Sequence, residues 1–297
     1  MKSFNITKQE KKAAIFLLPA LAMLAFFFLW PIILSFFYSL TDLTLSGAKA
    51  INYDFVGFDN FVKLFSDPLF KQSLINTLIF LVFSAIIGQL VLGFLIALLM
   101  KQKNTVVRRA VGLIVLCGWI MPEVVVAFCL VSFFSKDGTL NAILMNLTLL
   151  KKPIVWLYAF PMVSVIVANI WHGTAFSMLQ FQSALDDIPA EVEESAELDG
   201  ANGLKKIWFI TIPMIKQTIM TDLILITLST LSVFGLIFAM TGGGPGTKTT
   251  TLTIYMYKQA FGSYQMGYGT AIALCLLVIG IILSLISVKL SKLSLKE

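Results

Sequence analysis

The sequence is poor in charged residues. Asp, Glu, Lys and Arg make up only 13% of its 297 residues, about half the share of a typical soluble domain. Hydrophobic residues make up 58%, and the mean hydropathy is +0.89. Long apolar runs account for this imbalance. The composition therefore excludes an ordinary soluble domain and predicts an all-α polytopic membrane protein in contact with a lipid bilayer.

Arginine, histidine and cysteine are also scarce, and each scarcity removes a class of function. The two arginines share one short loop, whereas nucleic-acid binding needs a broad basic face, so no nucleic-acid partner is predicted. The single histidine, His172, has no cysteine or carboxylate at ligand spacing, so no metal site is predicted. The cysteines lie inside apolar runs without a CxxC spacing and are predicted to be small buried side chains. They are Cys117, Cys129 and Cys275.

Six apolar runs are long enough to cross about 30 Å of hydrocarbon as helices. The predicted spans are residues 13–40, 74–100, 110–134, 154–176, 219–240 and 269–290. The first run is longer than a signal-peptide core and has no cleavage site, so it is predicted to stay attached. Residues 41–70 are predicted to form a loop with short turns. The chain is then divided into residues 1–70, a core transmembrane domain at 71–290, and a tail at 291–297.

Lysine and arginine predict the orientation of the spans. With the N-terminus inside, the inner segments carry 14 of these residues and the outer segments carry 8. The positive-inside rule therefore predicts a multi-pass protein of the cytoplasmic (inner) cell membrane, with both termini in the cytoplasm. The loop at residues 186–213 is cytoplasmic in this orientation, and the glycine-rich loop at residues 241–250 lies outside.

The longest polar run of the chain is the loop IPAEVEESAELDGANGLKKIWFITIP, residues 188–213. Residues 190–198 are good helix formers that follow Pro189, which is suited to a helix start. Gly200 and Gly203 are predicted to break this helix. A second short helix is predicted at residues 205–212, stopped by Pro213. On composition alone, a solvated loop between spans fits equally well.

This loop carries a family motif. The segments Glu194-Ser195-Ala196, Asp199-Gly200-Ala201 and Ile210-Thr211-Ile212-Pro213 resemble the EAA motif of permease subunits in binding-protein-dependent ABC importers, in the form found in sugar permeases. Stretches before the second span, around the third span and between the fifth and sixth spans are similar to the same family. The resemblance covers nearly the whole chain. Ser195 departs from the family pattern, which usually has alanine there.

The resemblance implies a fold, a role and partners. The fold is that of a type I ABC importer permease with six transmembrane helices, and the loop is a coupling helix seated in a groove of a cytoplasmic ATPase dimer. It also implies a second, non-identical permease subunit, an extracellular or periplasmic solute-binding protein, and a carbohydrate as the solute. The chain is then a transport subunit without a cofactor, and not an enzyme. The coupling residues are Glu194, Ser195, Ala196, Asp199, Gly200, Ala201 and Pro213.

Polar side chains inside the apolar runs are candidates for the solute path, because charged groups within spans are costly and usually face protein or water. Glu123 either lines or gates the path or forms a buried structural pair. Asp222 is predicted to lie at the inner membrane surface, and His172 to be packed and hydrogen-bonded. The candidates for the path are Glu123, Asn76, Gln89, Asn169 and His172.

Other functions find less support. The segment GGGPGTKT lacks the glycine that a phosphate-binding loop needs before its lysine, where Thr247 precedes Lys248, so the chain is not expected to bind ATP. A membrane enzyme would need clustered carboxylates or histidines, and a passive channel has no use for a coupling loop. An importer of a polyol or a glycerol phosphate remains the alternative within the same class.

Overall fold

The computed structural model describes residues 8–101 and 103–294, with side chains from residue 16 to residue 289. Lys2 and Lys296, which contribute to the predicted charge asymmetry, lie outside the described residues. The described part is helical, and its one β-bridge pairs Thr41 with Phe55. In chain order the main helices are α1 (Phe16–Ser39, in a helical segment that begins at Lys8), α2 (Asp59–Ser66), α3 (Pro68–Lys101), α4 (Thr105–Ile120), α5 (Glu123–Phe133), α6 (Thr139–Asn146), α7 (Pro161–Asp186), α8 (Ala190–Leu198), α9 (Gly203–Met214), α10 (Lys216–Leu231), α11 (Gly235–Thr241), α12 (Leu252–Tyr257) and α13 (Met266–Ser294).

Six membrane spans are accounted for if each bent helix pair counts as one span. Helices α1, α3, α7 and α13 are each long and apolar enough to cross a bilayer. Helices α4 and α5 form a pair bent by 102°, and α9 and α10 form a pair bent by 72°. The predicted all-α polytopic architecture is confirmed. The predicted third span at residues 110–134 is broken between α4 and α5, and the predicted fifth span at residues 219–240 is divided between α10 and α11, with α9 in the polar loop before it.

The break in the third span has a local cause. Met121 precedes Pro122 and adopts an extended backbone, with φ −62° and ψ 136°. A proline ring disfavours the helical conformation of the residue before it. Helix α4 therefore ends at Ile120, and α5 starts in a new direction at Glu123.

The fourth span lies further along the chain than predicted. Helix α7 covers Pro161–Asp186, whereas the apolar run suggested residues 154–176. At its start, Ile154 is held outside the helix because Asn141 bonds both its backbone N–H and its carbonyl. At its end, polar residues interrupt the apolar run, but Phe181 and Leu185 are buried on one face and continue the helix.

The predicted loop at residues 41–70 contains regular structure. It includes α2, and α3 begins at Pro68 instead of near residue 74. Asp67 is the N-cap of α3, since its Oδ1 accepts a hydrogen bond from the Leu69 backbone N–H at 2.8 Å. An N-cap aspartate followed by proline at the first helical position is a start signal visible in the sequence.

Glycine residues let α3 and α7 pack closely. A Cβ on Gly88 would lie 2.3 Å from Ile170 Cγ1, and one on Gly93 would lie 2.8 Å from the Met178 backbone nitrogen. Such contacts exclude any larger residue without movement of a helix, and small residues at helix interfaces are typical of membrane proteins. Residues Leu81–Leu90 of α3 are wound as a wider π-helix, a feature found often at functional sites.

The chain forms two compact units, each with its own packing. Residues up to Ser66 and Met256–Cys275 form the first, and Asp67–Tyr255 with the residues from Leu276 form the second. In the first unit, the Asn60 amide donates to the carbonyls of Ser39 and Thr41, both at 2.8 Å. The core of the second unit includes fully buried residues of three helices. They are Val126 and Ala127 of α5, Val165 and Ala168 of α7, and Leu236 and Ile237 of α11.

The prediction for the cysteines is wrong in two cases. Cys117 and Cys129 lie on exposed helix faces, and Cys275 is half-buried. An apolar helix in a bilayer can direct such side chains outward, because lipid does not penalise them as water would.

Candidate functional site

Four of the five predicted path residues line one cavity. The cavity has a volume of about 260 Å³ and lies among α3, the break between α4 and α5, α7 and α10. Its walls carry hydrogen-bonding groups, two aromatic rings and a few aliphatic side chains. The lining residues are Gln89, Trp119, Glu123, Asn169, His172, Gly173, Phe176, Ile226, Ser229, Thr230 and Val233.

Gln89 and Asn169 belong to a hydrogen-bonded chain between α3 and α7. Gln89 Nε2 donates to the Asn169 carbonyl at 3.0 Å, and Asn169 Nδ2 donates to Ser84 Oγ at 2.9 Å. Gln89 and Asn169 are each only 4% exposed. These bonds hold the two amides in fixed orientations at the cavity wall, because buried amides are costly when unpaired.

His172 lies beside the break in the third span. Its Nε2 is 3.2 Å from the Met121 carbonyl, which has no helical partner because α4 ends one residue earlier. A carbonyl only accepts, so this bond requires the proton on Nε2. The prediction of a hydrogen-bonded histidine is confirmed, and the same ring also faces the cavity.

Glu123 meets the start of α11. Its Oε2 accepts a hydrogen bond from the Leu236 backbone N–H at 3.3 Å, and a Cβ on Gly235 would lie 2.9 Å from that oxygen. Glu123 is half-buried and also lines the cavity. The carboxylate therefore bonds to the start of α11 and also faces the cavity.

Trp119 and Phe176 are cavity residues that the sequence did not single out. Their ring centroids are 5.8 Å apart with the planes tilted by 37°. Trp119 is 41% exposed, so part of its face is open. The chain has 37 aromatic residues, so composition alone does not single out this pair. The position of Trp119, two residues before Met121–Pro122, was the one sequence clue that it lies at a helix break.

Asn76 lies away from this cavity. Its Nδ2 donates to the carbonyls of Thr247 and Thr250 at 2.9 and 3.0 Å. Near it, Thr77 Oγ1 accepts from the Leu252 backbone N–H at 2.9 Å. These bonds join one end of α3 to the glycine-rich loop and to the start of α12.

Asp222, which the sequence placed close to the inner membrane surface, is buried within the protein. Its side chain in α10 is 0% exposed. The Ser177 hydroxyl of α7 lies nearby, yet neither that hydroxyl nor the carboxylate oxygens form a hydrogen bond of normal geometry within the described residues. Its position near the start of an apolar run, next to Thr221, hid this burial from the sequence.

The polar loop forms the predicted helix and turn. Helix α8 covers Ala190–Leu198 as predicted and ends in a Schellman motif: Gly200 N–H donates to Glu197 O at 3.0 Å and Ala201 N–H to Ala196 O at 2.9 Å. Gly200 has φ +77°, the left-handed conformation that favours glycine. We call α8 the loop helix.

The second helix of the loop differs from the prediction. It begins at Gly203 and not at residue 205, because Asn202 is its N-cap and accepts a hydrogen bond from the Lys205 N–H at 2.9 Å. Pro213 lies one residue before the end of α9 at Met214. The chain then turns at Ile215 into α10.

The motif residues are divided between surface and core. Ala196 is 6% exposed and packs inward, and Ala201 is half-buried. The other motif residues face outward, together with Leu198, whose side chain is 89% exposed. The exposed motif residues are Glu194, Ser195, Asp199, Gly200 and Pro213.

Ion pairs fasten the loop helix to its surroundings. Lys101, the last residue of α3, pairs with Glu193, and Lys206 Nζ of α9 lies 2.6 Å from Glu197 Oε1. The acids are four residues apart and so lie on one face of the loop helix. A further pair joins Arg108 to Asp186 at the end of α7.

Known proteins resemble this chain in sequence and in fold. The sequence profile described as "Binding-protein-dependent transport system inner membrane component" matches residues 89–293. The chain is 33% identical to the multiple sugar-binding transport system permease protein MsmF of Streptococcus mutans over 93% of this chain and 94% of the relative. It is 32% identical to the sn-glycerol-3-phosphate transport system permease protein UgpA of Yersinia pestis, covering 89% of each.

A solved structure agrees with the same assignment. A chain of a bacterial ABC transporter involved in the import of the acidic polysaccharide alginate aligns with a TM-score of 0.81 and 25% identity, covering 96% of each chain. The family match extends over more than half of this chain and includes the loop helix, the part of α3 from Gln89, and the other cavity helices. The chain therefore belongs to the family of inner membrane components of binding-protein-dependent transport systems, as a permease subunit of an ABC importer and not an enzyme.

Proposed function

We propose that the chain forms part of the path by which a neutral saccharide enters the cell, and that the cavity on α3, α4/α5, α7 and α10 contacts this solute. The cavity carries the proposal. Its amides, carboxylate and hydroxyls suit sugar hydroxyls, and the open face of Trp119 suits the apolar face of a sugar ring.

The charge of the cavity supports a neutral solute. Glu123 contributes a carboxylate, and no lysine or arginine is present among the described residues that line the cavity. Phosphate and carboxylate groups are usually bound by arginine, lysine or helix starts. We therefore favour a saccharide over the glycerol phosphate of the UgpA relative and over an acidic sugar.

We infer that the loop of residues 186–213 is cytoplasmic and couples the chain to the ATPase, with both termini on the same side. The positive-inside bias and the outward-facing Glu194, Ser195 and Asp199 support this orientation. A solute-binding protein delivers the saccharide to the outer face, and the spans alternate between inward- and outward-facing states. A second, non-identical permease completes the path, and residues 71–290 form the core domain.

Uptake by intact cells tests the solute. Cells with and without the gene receive labelled glucose, maltose, lactose, trehalose and raffinose, and labelled sn-glycerol 3-phosphate as the anionic comparison. We expect the gene to be needed for one or more of the neutral saccharides. Gene-dependent uptake of glycerol phosphate alone would refute the neutral-saccharide proposal while leaving the permease assignment intact.

Gly200→Asp tests the coupling role. A Cβ at Gly200 would meet no atom of this chain within 4 Å, and aspartate tolerates the left-handed backbone better than most residues. The variant should therefore keep the fold and place a new charge on the surface that meets the ATPase. We expect normal amounts in the membrane and loss of uptake, and normal uptake would refute the proposed role of the loop.

A further inference from the structure

We infer that α3 is the element through which the loop helix acts on both the cavity and the outer loop, with Lys101 and Glu193 as its positioning residues. The inference rests on the proposed coupling function of the loop. It adds the route by which the movement of the ATPase reaches the solute path.

Helix α3 makes a specific contact at each of three levels. Lys101 at its last residue pairs with Glu193 of the loop helix. Gln89, twelve residues earlier, lines the cavity and bonds to the Asn169 carbonyl. Asn76, near the other end, holds the carbonyls of Thr247 and Thr250 in the glycine-rich loop.

The helix is suited to transmit displacement. It runs unbroken for 34 residues, about 50 Å at 1.5 Å per residue. Its close contacts with α7 at Gly88 and Gly93 leave no space between the two helices, so α3 and α7 are expected to move together. A shift at its inner end is therefore carried to the cavity and beyond it.

Helices α9 and α10 form a second possible route for movement of the loop helix, but this route is bent. Lys206 ties the loop helix to α9, but α9 and α10 meet at an angle of 72°, so a push along α9 is not directed along the span that follows. Helix α7 is connected to the loop helix through the short segment at residues 187–189.

The Lys101–Glu193 pair bridges a gap. A cavity of about 600 Å³ lies between the end of α3 and the loop helix, and Leu98 and Leu99 line one side of it. Lys101 is 21% and Glu193 34% exposed, so water screens the pair only in part. Reversing one charge would place like charges across this gap and weaken the connection.

The experiment measures whether ATP still moves the cavity. The complete transporter, with its ATPase and second permease, is reconstituted in vesicles from a variant in which Ser229 of the cavity wall is cysteine and the three native cysteines are serine. The probe is a charged methanethiosulfonate reagent, and its rate of reaction with this cysteine is recorded without nucleotide and with ATP plus vanadate. No knowledge of the solute is needed.

We expect ATP plus vanadate to change the labelling rate by about tenfold in the parent, within the 5–150-fold range typical of coupled sites. Lys101→Glu should reduce this change to below about twofold, and the milder Lys101→Gln should fall between the two. The exchanged pair Lys101→Glu/Glu193→Lys should restore the response, which a defect in folding alone would not allow. Lys103→Glu is the matched control, because Lys103 forms no ion pair within the described part of the chain.

Two outcomes separate this inference from the coupling proposal. If Gly200→Asp abolishes the ATP response but Lys101→Glu behaves like Lys103→Glu, the loop couples through its chain connection to α7, and the inference about α3 is overturned. If Gly200→Asp leaves the response unchanged, the coupling proposal itself fails. A charge-exchanged pair that does not recover would also overturn the role of the ion pair.

Discussion

Replacing Gly173 with alanine should deform the cavity without removing any of its polar groups. A Cβ at this position would lie 2.4 Å from Gln89 Cδ and 2.5 Å from both terminal atoms of its amide. Carbon atoms pack at about 3.5–4.0 Å, so the Gln89 amide must move by about 1 Å or more. Gly173→Ala therefore acts on Gln89 through space.

The size of the effect follows from the bond that is lost. Gln89 Nε2 donates to the Asn169 carbonyl at 3.0 Å, and a shift of about 1 Å exceeds hydrogen-bond range. Gln89 is 4% exposed, so water does not replace the lost partner. An unpaired buried polar group costs about 1–3 kcal/mol, or about 5- to 150-fold in an equilibrium constant.

Saturation of uptake measures this prediction. Gly173→Ala should lower the stability of the purified complex by about 1–3 kcal/mol, seen as a lower melting temperature. With the labelled saccharide that depends on the gene, the variant should also raise the KM of uptake, because the displaced amide no longer faces the solute as before. Gly112→Ala is the control, because a Cβ on Gly112 meets nothing within 4 Å. The double variant Gly173→Ala/Gln89→Ala should regain thermal stability but not affinity, since the shorter side chain removes the clash. If Gly173→Ala matches Gly112→Ala in KM and melting temperature, the cavity described here does not bind the solute.

Three further predictions concern stability. Asp222→Asn should raise the free energy of unfolding of the purified complex by about 1–3 kcal/mol, because the buried carboxylate has no hydrogen bond within the described residues. A lower melting temperature of the variant would contradict this reasoning and show that the carboxylate gains a partner in the assembled transporter. Asn141→Ala should cost about 2–4 kcal/mol, because its buried Nδ2 donates to the carbonyls of three residues, with one N–H shared, and its Oδ1 accepts two further hydrogen bonds. Asn146→Ala, on the exposed end of α6, is the control, and equal melting temperatures for the two variants would contradict the reasoning. The Lys49 ammonium holds the pKa of Asp42 below its usual value, helped by the Asp54 N–H, so this contact stabilises the loop above about pH 4 and is lost as the pH falls through the lowered pKa. Hydrogen exchange of residues 42–54, corrected for the intrinsic rate, should therefore show less protection at pH 3 than at pH 6, and unchanged protection would contradict it.

Local sequence determined the parts of the protein that depend on near neighbours. Apolar runs of about 20 residues require helices in a bilayer, because backbone groups there must bond within the segment. The loop helix at Ala190–Leu198 and the turn at Gly200 also follow from local composition, since helix formers followed by glycine specify both the helix and its left-handed end. The family motif lies in the same stretch, so the predicted membrane class and permease family were confirmed.

Only the tertiary structure decided which polar side chains meet. Residues 80 or more positions apart in the chain, such as Gln89 and Asn169, share a hydrogen bond, and His172 satisfies a carbonyl freed by Pro122 fifty residues earlier. Asn76 and Gln89 are both polar residues of one span, yet one holds the glycine-rich loop and the other lines the cavity. Hydropathy assigns both to the same helix, but it carries no information about which neighbour each face meets. For the same reason it did not show that Asp222 is buried within the protein. The direction of each helix face is set by packing against distant segments, which no local pattern records.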